Sequence, residues 1–148
     1  RRAGMGVVWI RAIYDYKYLT PAQIAKRGPE GCCMEGSWGA DFFELSPADG
    51  ELVIDKHSFN GFHDTALDEE LAARGIKTLV MTGVATNVCV DSTLRGGFVR
   101  GYNIVVAEDC VGSSNPVGHE GTLATVRTNF GSVVPSDDVI ALLQDRAA

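Results

Sequence analysis

Two residues whose side chains could do covalent chemistry stand at the ends of predicted strands. Cys89 follows the apolar run 79–81, where a strand-like pattern gives way to helical spacing. Lys56 closes the apolar run 51–56, and a polar and aromatic stretch follows it. A thiol close to a cation is a candidate nucleophile, because a neighbouring positive charge favours the ionised sulfur.

The position of Cys89 at a strand-to-helix junction adds to this chemistry. Either Thr86 or Asn87 is predicted to cap the helix, which places Cys89 in its first turn. Unpaired backbone N–H groups in that turn favour an anion such as a thiolate. Two plainer interpretations stay open, since Cys89 could be a small buried hydrophobe and Lys56 a solvated lysine at a strand end.

Strand-like and helix-like segments alternate along most of the chain. Strands are predicted at 51–56, 78–82, 103–107 and 132–134, and helices after Thr86, at 116–129 and from Ser136 onward. Such alternation predicts one α/β domain over residues 1–148, with a parallel sheet between helices. Because parallel strands end at one edge of the sheet, Lys56 and Cys89 are expected to share a cleft.

Residues 14–50 interrupt this rhythm. They contain three prolines, several glycines and the aromatic residues Trp38, Phe42 and Phe43, with a short helix predicted near 21–26. Long excursions inside a compact domain usually serve function. Trp38 is therefore expected either to pack over a substrate or to anchor the loop to the core.

Composition excludes several classes of partner. The net charge of −6 argues against nucleic acid, because phosphate binding requires a basic face. The apolar runs are the length of strands and are too short to cross a bilayer, so no membrane association is expected. The four cysteines, at 32, 33, 89 and 110, lack zinc-site spacing and are expected to be thiols in a reducing, cytoplasmic setting.

Residues 83–98 (GVATNVCVDSTLRGGF) resemble the nucleophile region of the isochorismatase-like cysteine hydrolases. The lysine segment also resembles this family, and residues 33–42 (CMEGSWGADF) resemble the substrate loop of its ureidoacrylate and N-carbamoyl amidohydrolase branches. The resemblance implies a three-layer α/β/α, Rossmann-like parallel sheet. It also implies hydrolysis of a carboxamide, ureide or N-carbamoyl substrate, no cofactor, and assembly as a homo-oligomer.

The resemblance also assigns roles to individual residues. Cys89 would be the nucleophile and Lys56 the cationic member of an aspartate, lysine and cysteine triad. The backbone N–H groups of Ala85 and Cys89 would form the oxyanion hole, and the peptide bond between Val84 and Ala85 would be cis. Substrate contacts would come from Trp38, Phe43 and Asn87.

The aspartate of this triad has no match in the sequence. In the family it closes the first strand, whereas residues 6–13 of this chain resemble the second strand. The family's strand order, 3-2-1-4-5-6, would make the unmatched strand central, so the 148 residues alone are expected to be inactive or to aggregate. Four other carboxylates are more plausible as solvated or capping residues: Asp15, Asp41, Asp55 and Asp64.

Three alternatives accompany this interpretation. Nicotinamidase-type activity is disfavoured because the segment after the second strand, residues 14–18, has no histidine, and no catalytic metal is predicted. The three histidines at 57, 63 and 119 are expected to be loop or surface residues. True isochorismate hydrolysis is disfavoured by the thiol itself, and a catalytically inactive binding or assembly module is the alternative from another functional class.

Overall fold

The computed structural model describes residue 1, residues 4–27 and residues 31–145. Its elements, in chain order, are β1 (Val8–Ala12), α1 (Pro21–Arg27), a 3-10 turn (Trp38–Ala40), β2 (Leu52–Lys56), α2 (Leu67–Ala73), β3 (Thr78–Val84), a π turn (Thr86–Val90), α3 (Asp91–Phe98), β4 (Asn103–Gly112), α4 (Pro116–Asn129), β5 (Gly131–Val134) and α5 (Ser136–Asp145). Parallel strands flanked by helices confirm the predicted α/β class.

The described strands form two parallel sheets. In the first sheet β1 pairs with β2, from Val8 opposite Leu52 to Ala12 opposite Lys56. The second sheet has the order β3-β4-β5. The five described strands are thus divided between two sheets, where the sequence predicted one.

Side chains from both sheets join one hydrophobic core. β2 contributes Ile54, and β4 contributes Ile104 and Val106. The helices and loops around the strands supply the remaining buried members: Phe62, Leu67, Leu71, Val90, Leu94, Tyr102, Leu123 and Val126. Burial of each large apolar side chain contributes about 1.5–3 kcal/mol, so this cluster fixes β2 against β4 and the helices around them.

The central strand of the second sheet extends beyond the predicted strand at 103–107. This strand, β4, has ten residues, and its pairing with β3 shifts register between Met81 and Gly83. This irregularity lies at the end of β3, just before the chain enters the π turn that carries Cys89. Among the described residues, no helix combines the length and apolar character needed to cross a membrane.

Candidate active site

Lys56 is buried at the C-terminal end of β2. Its side chain is only 3% exposed, and its ammonium nitrogen Nζ donates to the carbonyl of Ser58 at 2.7 Å and to Sγ of Cys89 at 3.3 Å. Removing an ammonium group from water costs several kcal/mol, so a lysine in this position requires such partners. The interpretation of Lys56 as a solvated strand-end lysine is therefore wrong.

Cys89 is half-buried in the π turn Thr86–Val90, which leads directly into α3. The carbonyl of Ala85 accepts from the N–H groups of Val88 and Val90, at 3.0 and 3.2 Å, and so closes the turn. Ala85 precedes the turn in extended conformation, and the Val84–Ala85 peptide bond is cis, as predicted. The backbone N–H groups of Ala85 and Cys89 therefore lie within the same hydrogen-bonded segment, residues 85–90.

The predicted caps of this helix are wrong. The turn has Ala85 at its N-cap position and no side-chain cap, and it is π-helical where a regular first α turn was expected. The side chains of Thr86 and Asn87 are engaged elsewhere. Thr86 Oγ1 lies 2.9 Å from Nδ1 of His119, and Asn87 Oδ1 accepts from the hydroxyl of Ser113 at 2.6 Å.

The loop after Lys56 is held by hydrogen bonds to α3 on one side and to the chain after β1 on the other. The backbone N–H of Gly61 donates to Oγ1 of Thr93 on α3 at 2.9 Å. Nδ1 of His57 lies 2.6 Å from the carbonyl of Ile13, beyond the end of β1. Because a carbonyl only accepts, Nδ1 of His57 is the donor in this contact.

A cavity of about 470 Å³ begins where this loop leaves Lys56. The ring of His57 stacks on Tyr18 with centroids 3.8 Å apart and forms part of the wall. The other lining residues are polar: Thr20, Gln23, Ser58, His63 and Asp64. Ser58 belongs to the cavity wall and its carbonyl accepts from Lys56, whereas neither Lys56 nor Cys89 lines the cavity itself.

The structure does not place the predicted aromatic contacts against that pair. Trp38 and Phe43 are 77% and 66% exposed, and their rings contact each other at 5.8 Å. Phe42 instead packs edge-on against Trp9 at 5.4 Å, so Phe42 anchors the loop and the anchoring alternative for Trp38 is wrong. A substrate-contacting role for Trp38, Phe43 and Asn87 stays a prediction.

The four carboxylates set aside in the sequence are solvent-facing or locally paired. Asp55 forms a two-pronged ion pair with Arg11, at 2.7 and 2.9 Å. Asp15 accepts from the backbone N–H of Lys17 at 2.9 Å, and that contact lowers the pKa of Asp15 below its ordinary value. Asp64 has a side chain that is 88% exposed, and Asp41 is exposed. These contacts fit the solvated and capping roles predicted for the four residues.

Two histidines have more defined positions than predicted. His57 is half-buried and stacked, and the side chain of His119 is 20% exposed and contacts the buried Thr86. His63 is exposed, as expected. The position of His119 in the first turn of a helix that follows a strand was a usable signal, because such turns lie at the same sheet edge as the nucleophile.

Over residue 1, residues 4–27 and residues 31–145, no group of three or more potential ligands converges on a metal site.

Comparisons with known proteins show which sequences this chain is similar to. Residues 1–138 match the sequence model of the Isochorismatase domain. The chain is 37% identical over 151 residues to the ureidoacrylate amidohydrolase RutB of Methylobacterium radiotolerans, an alignment that covers 90% of this chain and 58% of that protein. The chain thus spans about three-fifths of the length of that curated relative.

Solved structures show the same architecture. A cysteine hydrolase from Pseudomonas syringae superposes with a TM-score of 0.89 at 25% identity, covering 97% of this chain and 74% of that one. The N-carbamoylsarcosine amidase from Thermoplasma acidophilum superposes with a TM-score of 0.78 at 30% identity, covering 92% and 75% of the two chains.

Proposed function

The chain belongs to the isochorismatase domain family, a family of hydrolases, and on this premise we propose that it hydrolyses a non-peptide C–N bond through Cys89. The substrate would be a carboxamide, a ureide or an N-carbamoyl compound. The intermediate would be an acyl or carbamoyl thioester on the sulfur of Cys89.

The contact between Lys56 and Cys89 carries this proposal. A buried ammonium group 3.3 Å from a thiol attracts the thiolate, and water screens this attraction only weakly because the lysine is 3% exposed. A cysteine that served only as a hydrophobe would gain nothing from a buried cation. The pair therefore supports a nucleophilic role for Cys89.

The reaction would proceed in two halves. In the first, the sulfur of Cys89 attacks the carbonyl carbon, a C–S bond forms and the carbonyl oxygen takes the negative charge. The N–H groups of Ala85 and Cys89 would stabilise this oxyanion, and removing one such donor typically costs about 3 kcal/mol of transition-state stabilisation. Collapse then breaks the C–N bond and expels ammonia or an amine.

In the second half, water attacks the thioester carbon and restores the thiol. The leaving nitrogen must gain a proton and the attacking water must lose one, so the reaction requires a group that moves protons. The resemblance implies an aspartate for this role. Lys56 would hold the thiolate and that carboxylate in their ionised forms.

The cavity that reaches Ser58, a hydrogen-bond partner of Lys56, suits a small substrate that carries hydrogen-bonding groups. Its volume of about 470 Å³ lies within the range of ordinary small-molecule pockets, roughly 300–1,000 Å³. The ureide substrate in the name of the relative RutB, and the N-carbamoyl substrate of the structural neighbour, fit that description.

The mechanism needs a reduced Cys89, which favours a reducing compartment such as the cytoplasm. Exposed apolar side chains such as Val99 and Leu142 suit assembly with a second copy.

The test is a screen for release of ammonia or amine by the protein expressed from its complete gene. Ureides, N-carbamoyl compounds and simple carboxamides would be compared. We expect turnover in at least one class, and we expect Cys89→Ala to lose it by at least about 1,000-fold. The control is Cys110→Ala, which removes an exposed thiol outside the site. A Cys89→Ala variant with near-normal turnover would disprove the nucleophile, and no release from any class would favour the inactive binding module.

A further inference from the structure

The first turn of α4 and the loop before it hold the π turn through side-chain hydrogen bonds. Nδ1 of His119 lies 2.9 Å from Oγ1 of Thr86. The hydroxyl of Ser113 donates to Oδ1 of Asn87 at 2.6 Å. Thr86 and Asn87 are the first two residues of the turn that carries Cys89, so both contacts act on the segment that positions the sulfur.

The contact with His119 has the stronger physical basis. Thr86 is 1% exposed, and a buried hydroxyl is costly to leave without a hydrogen-bond partner. The backbone of His119 is itself fixed, because its N–H donates to the carbonyl of Asn115 at 2.9 Å. The side chain of Asn115 caps the same helix by accepting from the N–H of Gly118 at 3.0 Å. The imidazole is therefore presented to Thr86 from a rigid helix start.

Gly118 allows this helix start to approach the π turn closely. A Cβ atom at position 118 would lie 2.7 Å from Nδ2 of Asn87, a distance at which one of the two groups would have to move. The glycine thus brings the first turn of α4 against the nucleophile turn. Close packing of this kind transmits a change at position 119 directly to Thr86.

We propose that His119 is a positioning residue for the nucleophile. Its hydrogen bond to Thr86 fixes the π turn, so that Sγ of Cys89 stays 3.3 Å from Nζ of Lys56 and the N–H of Ala85 keeps its direction. His119 acts through Thr86 and does not touch the reacting atoms. This inference rests on the proposed function of Cys89 as the nucleophile.

A purely structural role would have different consequences. A contact that only stabilises the fold changes the free energy of unfolding and leaves the folded fraction with normal chemistry. A positioning contact lowers kcat and slows alkylation of Cys89 in the folded protein, while KM changes little. Misplacement by about 1 Å costs up to roughly 100-fold in rate.

The experiment compares His119→Leu with His119→Asn in the protein expressed from its complete gene. Leucine removes the hydrogen bond, whereas the asparagine amide reaches about the position of Nδ1 and can bond to Thr86. We expect His119→Leu to lower kcat, and the rate at which iodoacetamide alkylates Cys89, by about 10-fold to 100-fold, with KM within about twofold. His119→Asn should recover most of both rates.

Thr86→Val tests the same hydrogen bond from its other end, because valine has the shape of threonine without its hydroxyl. It should reproduce the loss seen in His119→Leu, and the double variant should lose little more than either single variant. Val117→Ala is the matched control, since Val117 lies in the same helical turn as His119, is 84% exposed, and should leave both rates unchanged when it is replaced. Normal rates in folded His119→Leu, or no recovery with His119→Asn, would overturn the inference. Failure of the proposed function would show separately, as turnover that persists in Cys89→Ala.

Discussion

Nζ of Lys56 and Sγ of Cys89 lie 3.3 Å apart although 33 positions separate the two residues in the chain. The two side chains come from different sheets, one at the end of β2 and the other in the turn after β3. Their contact depends on the shared core, which contains both Ile54 of β2 and Val90 of the π turn. The pairing is thus a property of the tertiary fold, and its chemistry can be tested at each partner.

The charge of Lys56 is expected to control the reactivity of Cys89. Lys56→Met keeps the length of the side chain and removes the cation, so alkylation of Cys89 at pH 7 should slow by about tenfold or more. The rate would be followed by mass spectrometry, which distinguishes Cys89 from the other three cysteines. Lys77→Met is the control, because Lys77 is exposed before β3 and should leave the rate unchanged. Equal rates in the wild type and Lys56→Met would contradict an electrostatic role.

Metal removal is expected to leave the activity intact. The proposed mechanism assigns the charged roles to side chains and backbone N–H groups, and no step in it requires a Lewis acid. Dialysis against EDTA, followed by the ammonia-release assay, should therefore change kcat by less than about twofold. Stoichiometric zinc or iron in the purified protein, lost together with activity on chelation and regained on addition, would refute the prediction.

The sequence was most informative where local chemistry determines the structure. α4 runs from Pro116 to Asn129 as predicted, because Asn115 caps it and proline suits its first turn. The proximity of Lys56 and Cys89 was also predictable, since parallel strands end at one sheet edge. Their direct contact was not, because it depends on the packing of two sheets.

Side-chain partners across the fold were the least predictable features. The caps expected at Thr86 and Asn87 failed because both side chains bond to the loop and helix after β4, which no local pattern indicates. The anchor of the long loop was also not predicted correctly, because anchoring had been considered for Trp38 and not for Phe42. Phe42 anchors the loop and Trp38 is exposed, since the three-residue 3-10 turn Trp38–Ala40 is too short to have a periodicity that marks an inward face.

Asp109 on β4 is expected to make the stability of α5 depend on pH. Its carboxylate accepts from the hydroxyl of Ser136 at 2.5 Å and from the N–H of Ser136 at 2.7 Å. These bonds, the hydroxyl first, lower the pKa of Asp109 below its ordinary value of 3.8. The folded state therefore prefers the charged form, so this contribution is present above pH 3.8 and is lost as the pH falls below it.

The corresponding measurement is the Tm of wild type and Asp109→Ala between pH 7 and pH 3. At pH 7 the variant should melt at a lower temperature, and the difference should narrow as the pH falls below 3.8. Asp49→Ala, a change in an exposed loop, should have little effect at either pH. A Tm difference for Asp109→Ala that stayed constant down to pH 3 would show that the carboxylate does not act through its charge.

Two glycines, one in β5 and one in α4, are expected to respond oppositely to alanine. A Cβ atom at Gly131 would overlap the carbonyl oxygen of Ile104, its partner residue on β4. Gly131→Ala must therefore separate β4 from β5, and it should lower the free energy of unfolding by at least about 1–3 kcal/mol. Gly121 lies inside α4, and a Cβ atom there would have no neighbouring atom within 4 Å, so Gly121→Ala should raise that free energy by about 0.5–1 kcal/mol. Urea unfolding of the two variants beside the wild type measures both effects, and a stabilised Gly131→Ala would show that the β4–β5 pairing is looser than its geometry indicates.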